Sequence, residues 1–136
     1  MIPANGFYEW AKDPHTGAKQ PYYIQSEDTE LLLFAGLWLK VDEQVSFTIL
    51  TKQADENLAH LHHRSPVMVV PAQASSWFEG DRQAARDIIA RSTTQTLGFH
   101  PVSADVGKVA NDHEDLIKEV CLKHSKSDLP QQRALL

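Results

Sequence analysis

Glu9 is the first residue in the chain whose position could support chemistry, and it lies in the segment PANGFYEW at residues 3–10. Asn5 and Gly6 predict a tight turn, because both accept the positive φ angles that such turns need. In the extended strand that follows, Glu9 shares a face with Phe7 and has an aromatic residue on either side in sequence. One interpretation is a solvated glutamate on a half-buried hairpin. The other is a carboxyl group in an apolar wall, where a raised pKa would suit it to proton transfer.

A group of histidines offers the second chemical function. The chain has seven histidines, and His60, His62 and His63 are nearly adjacent. Imidazoles two residues apart on a strand can share a metal ion, but no acidic or cysteine ligand stands at a matching spacing, so a metal site is the least favoured interpretation. A second interpretation makes His62 an acid–base group with Arg64 beside it to hold an anion. A surface histidine cluster without a role is the third.

Composition limits what kind of protein this can be. The chain has 136 residues, 42% of them hydrophobic and 23% charged, which is ordinary for one globular domain. We expect this domain over residues 1–124 and a mobile polar tail over 125–136. No stretch approaches the ~20 apolar residues of a membrane span, so no membrane partner is expected. With a net charge of −5, any nucleic-acid contact must come from a local basic patch.

The chain contains a single cysteine, Cys121. One cysteine excludes an internal disulfide framework and suits the reducing conditions of the cytoplasm. No flanking histidine or glycine-rich turn is present to activate the thiol, so we interpret Cys121 as buried or incidental.

The pattern of apolar residues predicts many strands, a few short helices and no βαβ alternation. This order is typical of a mostly antiparallel α+β or barrel-like fold, with the helices at its periphery. Gly36 indicates a bulge or a close backbone approach, and Asp55 is placed to cap a helix. The predicted strands are 7–10, 20–25, 31–39 (buried), 45–51, 67–70 and 99–103, and the predicted helical segments are 52–61, 71–78, 81–92 and 112–120.

Four segments, taken together and in order, resemble the SRAP family, the SOS response-associated peptidases that process abasic sites in single-stranded DNA. They are IPANGFYEW at 2–10, FTILT at 47–51, HHRSPV at 62–67 and HPVS at 100–103. The resemblance implies a β-rich α+β fold built around a distorted barrel. It also implies a reaction without a cofactor, in which a cysteine at the mature N-terminus attacks the ring-opened abasic aldehyde and forms a stable thiazolidine. The peptidase label then refers to release of the initiator Met from that cysteine.

The resemblance also implies roles for individual residues. Glu9 matches the family's catalytic glutamate, which moves protons during Schiff-base and thiazolidine formation. His62 matches the histidine that assists opening of the sugar ring. Arg64 matches a residue of the DNA groove, and Thr51 lies near the floor of the active site. Trp10 is a candidate for stacking against DNA.

In the family, a segment with the nucleophilic cysteine precedes this motif, whereas here Met1 is followed by Ile2. We therefore expect the C-terminal portion of a SRAP domain that forms no covalent DNA adduct alone and self-associates through exposed apolar edges. A non-catalytic single-stranded DNA-binding remnant is the first alternative. A metal-dependent hydrolase built on the three clustered histidines is the second.

Overall fold

A computed structural model describes residues 1–13, 17–94 and 96–122. The predicted loop at 14–16 and the predicted tail at 125–136 lie outside the described residues. The strands are β1 (Ile2–Ala4), β2 (Gly6–Lys12), β3 (Lys19–Ser26), β4 (Leu32–Phe34), β5 (Gly36–Val41), β6 (Gln44–Ile49), β7 (Thr51–Gln53), β8 (Arg64–Pro66) and β9 (Leu97–Pro101). The helices are α1 (Glu56–Ala59), α2 (Ala74–Glu79) and α3 (Arg82–Arg91), with 3-10 turns at Pro71–Gln73, Ala104–Gly107 and Glu114–Ile117.

The described strands pair in four small sheets. A three-stranded sheet has the order β2-β3-β9, and the other sheets are the pairs β1-β4, β5-β6 and β7-β8. All of these pairings are antiparallel. The mostly antiparallel α+β class predicted from sequence is therefore confirmed, although the described strands do not close into a barrel.

The main core lies between the three-stranded sheet and the segments that cross it. Strand alternation turns Ile24 inward, and α1 contributes Leu58, which is 3% exposed. The buried members of this cluster are Ile24, Leu32, Phe34, Leu58, Leu61, Met68 and Leu97. A second cluster, with Ala35, Val67, Val69 and Ile88, packs against α3.

The apolar run at 31–39 was predicted as one buried strand, and this prediction is wrong. The run forms β4, which pairs with β1, and β5, which pairs with β6. Between them Ala35 leaves both ladders: its N–H donates to the carbonyl of Val67, and its carbonyl accepts from Leu50. At Gly36 the predicted close backbone approach is present, because a Cβ there would lie 3.3 Å from the backbone oxygen of Thr48, as well as 3.0 Å from Cδ1 of Ile2. Apart from Gly36, the β5 residues are exposed.

Two further segments also differ from expectation. The predicted strand at 45–51 divides into β6 and β7, and the predicted helix at 52–61 shortens to α1, because residues 51–53 pair with β8. The predicted strand at 67–70 lies after β8 and makes only a single bridge from Met68 to Phe34. Backbone hydrogen bonds from Val67 to Leu50 and from Val69 to Leu33 still hold this segment extended against β4.

The remaining elements appear where the sequence placed them. Strands β2, β3 and β9, helices α2 and α3, and the final 3-10 turn overlap the predicted segments, with small shifts at their ends. Asp81 begins α3, its carboxylate accepting the N–H of Ala84 at 2.9 Å. Among the described residues no helix is long and apolar enough to cross a membrane.

The turn at Asn5 and Gly6 exists, but its predicted conformation is wrong. The chain bends at Asn5 between β1 and β2, and the described residues with positive φ are Asp42 and Gly17. Gly6 is required for a different reason. A Cβ at this position would lie 2.4 Å from the ring of Tyr23 and 2.5 Å from a backbone oxygen, so only glycine lets β2 and β3 meet here.

Candidate functional site

The first component of the site is Glu9, which β2 holds on the inner face of the three-stranded sheet. Alternation places it on the same face as Phe7 and Ala11, both of which pack against the main core. Its cross-strand partner on that face is Tyr22 of β3. The Glu9 side chain keeps 24% of its exposure. Burial raises the pKa of Glu9, while the nearby imidazoles of His62 and His63 and a backbone hydrogen bond act to lower it. The interpretation of a carboxyl in an apolar wall fits this environment.

The second component is His62, which sits in the short connection between α1 and β8. Its N–H donates to the carbonyl of Leu58 at 3.1 Å, which continues the turn of α1 for one more residue. Leu58 and Leu61 are buried in the main core and fix this turn against the sheet. The carbonyl of His63 accepts a hydrogen bond from the N–H of Ala54 at 3.0 Å, which holds the end of the connection next to β8.

Glu9 and His62 come together across these elements. The Nδ1 atom of His62 lies 3.8 Å from Oε1 of Glu9. The same nitrogen lies 3.2 Å from the backbone N–H of Arg64 and 3.0 Å from its carbonyl oxygen. Nδ1 accepts from the N–H when it is unprotonated, and it donates to an oxygen when it carries a proton. Either protonation state therefore has a partner, as a proton-transfer group requires.

Thr51 and Arg64 form the third component, on the adjacent pair β7-β8. Arg64 Nε donates to Thr51 Oγ1 at 3.0 Å, and one terminal nitrogen donates to the same oxygen at 2.6 Å and to the Thr51 carbonyl. These hydrogen bonds fix the plane of the guanidinium group of the exposed Arg64. A guanidinium has five N–H donors, so others remain to bind an anion.

Trp10 lies on the opposite face of β2 from Glu9. It is 40% exposed, and its ring centroid is 6.5 Å from that of Tyr8. Tyr8 in turn packs against the buried Tyr23 at 5.3 Å, and burial raises the pKa of both tyrosines. The structure thus brings Glu9, His62, Arg64 and Thr51 together on one side and leaves Trp10 on the other.

A polar network that the sequence did not reveal anchors α1. Asp55, predicted as a helix cap, makes no side-chain cap; its carboxylate accepts from the backbone N–H of Thr94 at 2.7 Å and pairs with Lys52 at 3.0 Å. Burial acts to raise the pKa of Asp55, but the bonds from Thr94 and Lys52 outweigh it and lower this pKa. The fully buried Thr94 hydroxyl lies 2.8 Å from Oδ1 of Asn57. This network ties the loop after α3 to α1, the helix that precedes the connection with His62.

The clustered histidines lie in different environments. The ring of His60 packs on Phe99 at 5.1 Å, whereas His62 faces Glu9 and stacks on His63 at 4.4 Å. Nowhere in residues 1–13, 17–94 and 96–122 do three or more His, Cys, Asp or Glu side chains group to hold a metal ion. Cys121 is exposed, so of its two interpretations, buried or incidental, the buried one is wrong.

The site therefore combines a carboxyl group in an apolar wall, an imidazole 3.8 Å from it and a guanidinium held by Thr51. The sequence model of the family described as SOS response associated peptidase (SRAP) matches residues 1–109. The chain belongs to this family.

Curated relatives agree with that assignment. The chain is 33% identical over 125 residues to abasic site processing protein YedK from Escherichia coli, a match that covers 86% of this chain and 55% of YedK. It is 30% identical over 138 residues to abasic site processing protein HMCES from Gallus gallus, covering 82% of this chain and 40% of that protein. The chain thus spans about half the length of the curated relatives it matches, or less.

Solved structures support the fold. A protein from Bacteroides thetaiotaomicron superposes with a TM-score of 0.73 at 19% identity, covering 88% of this chain and 56% of that one. A phage-related protein from Bordetella bronchiseptica superposes with a TM-score of 0.59 at 31% identity, covering 74% of this chain and 51% of that one.

Proposed function

We propose that this chain processes abasic sites in single-stranded DNA, with Glu9 and His62 moving the protons of the reaction. The observation that carries the proposal is the 3.8 Å approach of the two side chains, whose elements lie far apart in the chain. Membership of the SRAP family and the relatives' names as abasic site processing proteins support abasic sites as the substrate.

The chemistry of an abasic site explains why these groups are suited to it. The lesion is an aldehyde in equilibrium with a closed sugar, and its condensation with an amine needs an acid to protonate the departing oxygen and a base to remove a proton from nitrogen. Burial favours the protonated form of Glu9, and histidine is the side chain whose ordinary pKa lies nearest neutrality. Each such group typically contributes about 10²–10⁴-fold to rate.

Arg64 is proposed to hold a phosphate of the DNA next to the lesion. Thr51 fixes the guanidinium from one side, so an incoming phosphate meets a group that is already oriented. Replacing Arg64 by Ala should weaken binding to single-stranded DNA and reduce the salt dependence of log K by about 0.7, the slope for one phosphate contact. Thr51→Val keeps the charge and should weaken binding without changing that slope.

Trp10 is proposed to contact DNA away from Glu9, because the two residues lie on opposite faces of β2. A half-exposed tryptophan can stack on any base. We also propose that the domain extends over residues 1–124 and works in the cytoplasm, where the exposed thiol of Cys121 would stay reduced.

The decisive experiment supplies the aminothiol in solution. A single-stranded oligonucleotide with one abasic site is incubated with free cysteine, with and without the protein, and thiazolidine formation is followed by mass spectrometry. We expect the protein to accelerate the reaction and Glu9→Gln to remove the acceleration. Without added cysteine, the chain of this sequence should give no denaturant-resistant adduct.

Two outcomes would contradict this function in different ways. Tight binding without acceleration would support the non-catalytic single-stranded DNA-binding alternative. No preference for the abasic oligonucleotide over an intact one, or a preference for duplex over single strand, would overturn the proposed substrate.

Self-association is proposed to occur through the β5-β6 hairpin. Trp38 and Phe47 are cross-strand partners there and are 73% and 70% exposed. Exposed apolar surface of this kind is typical of an interaction site. Sedimentation velocity should show a concentration-dependent dimer that Trp38→Lys disrupts, whereas Phe78→Lys, on the exposed surface of α2, should leave it intact. A monomer at every concentration would refute this association.

A further inference from the structure

Three aromatic rings form a row on the same sheet face as Glu9. Tyr22 lies opposite Glu9 in the β2-β3 register. Its ring centroid is 6.1 Å from that of Phe99 in β9, at an interplanar angle of 72°. The ring of His60 continues the row, with its centroid 5.1 Å from that of Phe99. We call Tyr22, Phe99 and His60 the aromatic shelf.

The backbone explains why the shelf and the acid–base pair belong to one surface. Phe99 pairs with Ile24, the residue two positions from Tyr22 on β3, so alternation turns both aromatic rings to the inner face of the sheet. His60 caps the C-terminus of α1, and the connection that begins there reaches His62 two residues later. The strand spacing of about 4.8 Å puts β9 roughly 10 Å from β2 across the sheet. The shelf thus begins beside Glu9 and extends away from it.

Phe99 and His60 of the shelf are exposed to solvent, whereas neighbouring apolar residues are buried. Phe99 is 38% exposed, although Leu97 on the same strand is 7% exposed and Val102 just beyond the strand is 1% exposed. His60 is exposed as well. An aromatic group with a free face can stack with any base, because every base has a π-face.

A cation near the shelf can contact the phosphates of a nucleic-acid strand. Residues 60–66 contain Arg64 and no acidic residue, in a chain whose net charge is −5 with histidines counted as neutral. The exposed guanidinium of Arg64 is already oriented by Thr51. A nucleic-acid strand lying along the shelf would therefore meet stacking groups and a fixed cation together.

We propose that the aromatic shelf stacks the nucleobase next to the abasic site and so holds the lesion over Glu9 and His62. This inference rests on the proposed function and adds a subsite to it. The lesion has no base of its own to stack, so a neighbouring base must supply that contact. Phe99 and His60 bind this base; they take no part in proton transfer.

The experiment places a fluorescent base beside the lesion. A single-stranded oligonucleotide carries a tetrahydrofuran abasic analogue with 2-aminopurine on its 5′ or its 3′ side. Stacking on the shelf should quench the fluorescence of one of the two probes when wild-type protein binds. Phe99→Ala should remove this quenching and weaken binding by about 5- to 150-fold, the range for loss of one base–aromatic stack.

Matched variants test the fold and the assignment. Phe78→Ala removes an exposed phenylalanine from α2 and should leave quenching and affinity unchanged. If Phe99→Ala unfolds by circular dichroism, His60→Ala provides the test at an exposed position and should reduce both signals, whereas His60→Phe should restore them.

The outcomes separate the shelf from the function on which it rests. Wild-type binding and quenching that survive both Phe99→Ala and His60→Ala would overturn the shelf and leave the proposed substrate intact. A wild-type protein that does not bind the abasic oligonucleotide would overturn both. Cysteine-assisted thiazolidine formation at the wild-type rate while quenching is lost would refute the claim that the shelf holds the lesion over Glu9 and His62.

Discussion

Replacing Glu9 by Gln tests the acid–base pair most directly. The substitution keeps the size of the side chain and removes both its negative charge and its ability to exchange a proton. The structure gives Glu9 two possible roles: it can transfer protons, or it can simply hold an imidazolium in place from 3.8 Å. The two roles predict different magnitudes.

An ion pair alone would account for a small effect. At about 4 Å two unit charges attract by about 1 kcal/mol in bulk water and about 4 kcal/mol in a partly buried setting. His62 keeps 39% of its exposure, so the lower end applies, and losing it would slow the reaction by about 5-fold. Loss of a proton-transfer group should slow it by about 10²–10⁴-fold. The expected result for Glu9→Gln in the free-cysteine assay is the larger loss.

A double-mutant cycle then tests whether the two side chains act as a unit. If they do, the variant with both Glu9→Gln and His62→Ala should be no slower than the slower single variant, because either change disables the pair. Glu79→Gln, an exposed glutamate at the end of α2, is the control and should react at the wild-type rate. A loss below about 5-fold for Glu9→Gln, or losses that multiply in the double variant, would refute the reasoning.

Three further predictions concern stability, each measured by urea unfolding. Because burial raises the pKa of Glu9, the folded state binds its proton more tightly than the unfolded state, so this stabilisation is present below the ordinary pKa of 4.5 and lost as pH rises through the folded value. Glu9→Gln should therefore gain stability relative to wild type as the pH rises from below 4.5 to 7. A stability difference between the two proteins that stays constant over this range would contradict this origin. Thr94→Val removes the hydroxyl bonded to Asn57 and should destabilise by about 1–2 kcal/mol. Thr94→Ser keeps the hydroxyl and loses only a buried methyl group, so it should destabilise less. Equal losses would show that the hydroxyl is unimportant. Gly6→Ala would place a Cβ 2.4 Å from a tyrosine ring and should destabilise by about 2 kcal/mol or more. The control Gly107→Ala, whose Cβ would have no atom within 4 Å, should be tolerated. Similar effects of the two substitutions would disprove the steric explanation.

Several features of the site could be predicted from short stretches of sequence. Alternation along β2 correctly placed Glu9 and Phe7 on one face, because the side-chain period of a strand is a local property. Pro66 and the apolar spacing before it correctly put His62 where a helix gives way to a strand. The motifs around these residues also indicated the family.

Other features depended on distant partners and were missed. The run at 31–39 is apolar enough for a buried strand, yet Trp38 lies on an exposed hairpin, because exposure depends on what packs against the strand and not on its composition. Asp55 occupies the N-cap position of α1, but its carboxylate accepts a hydrogen bond from Thr94, which is distant in sequence. Predicting the aromatic shelf would likewise have required knowledge that β3 pairs with β9, which no local sequence pattern indicates.

The sequence by itself determined which groups are available and which way each faces on its own element. Only the tertiary structure decided that Glu9 and His62 meet, because that contact depends on the packing of Leu58 and Leu61 against the sheet. It also decided how Glu9 titrates, since a raised pKa comes from the apolar surroundings that folding assembles around the carboxyl group.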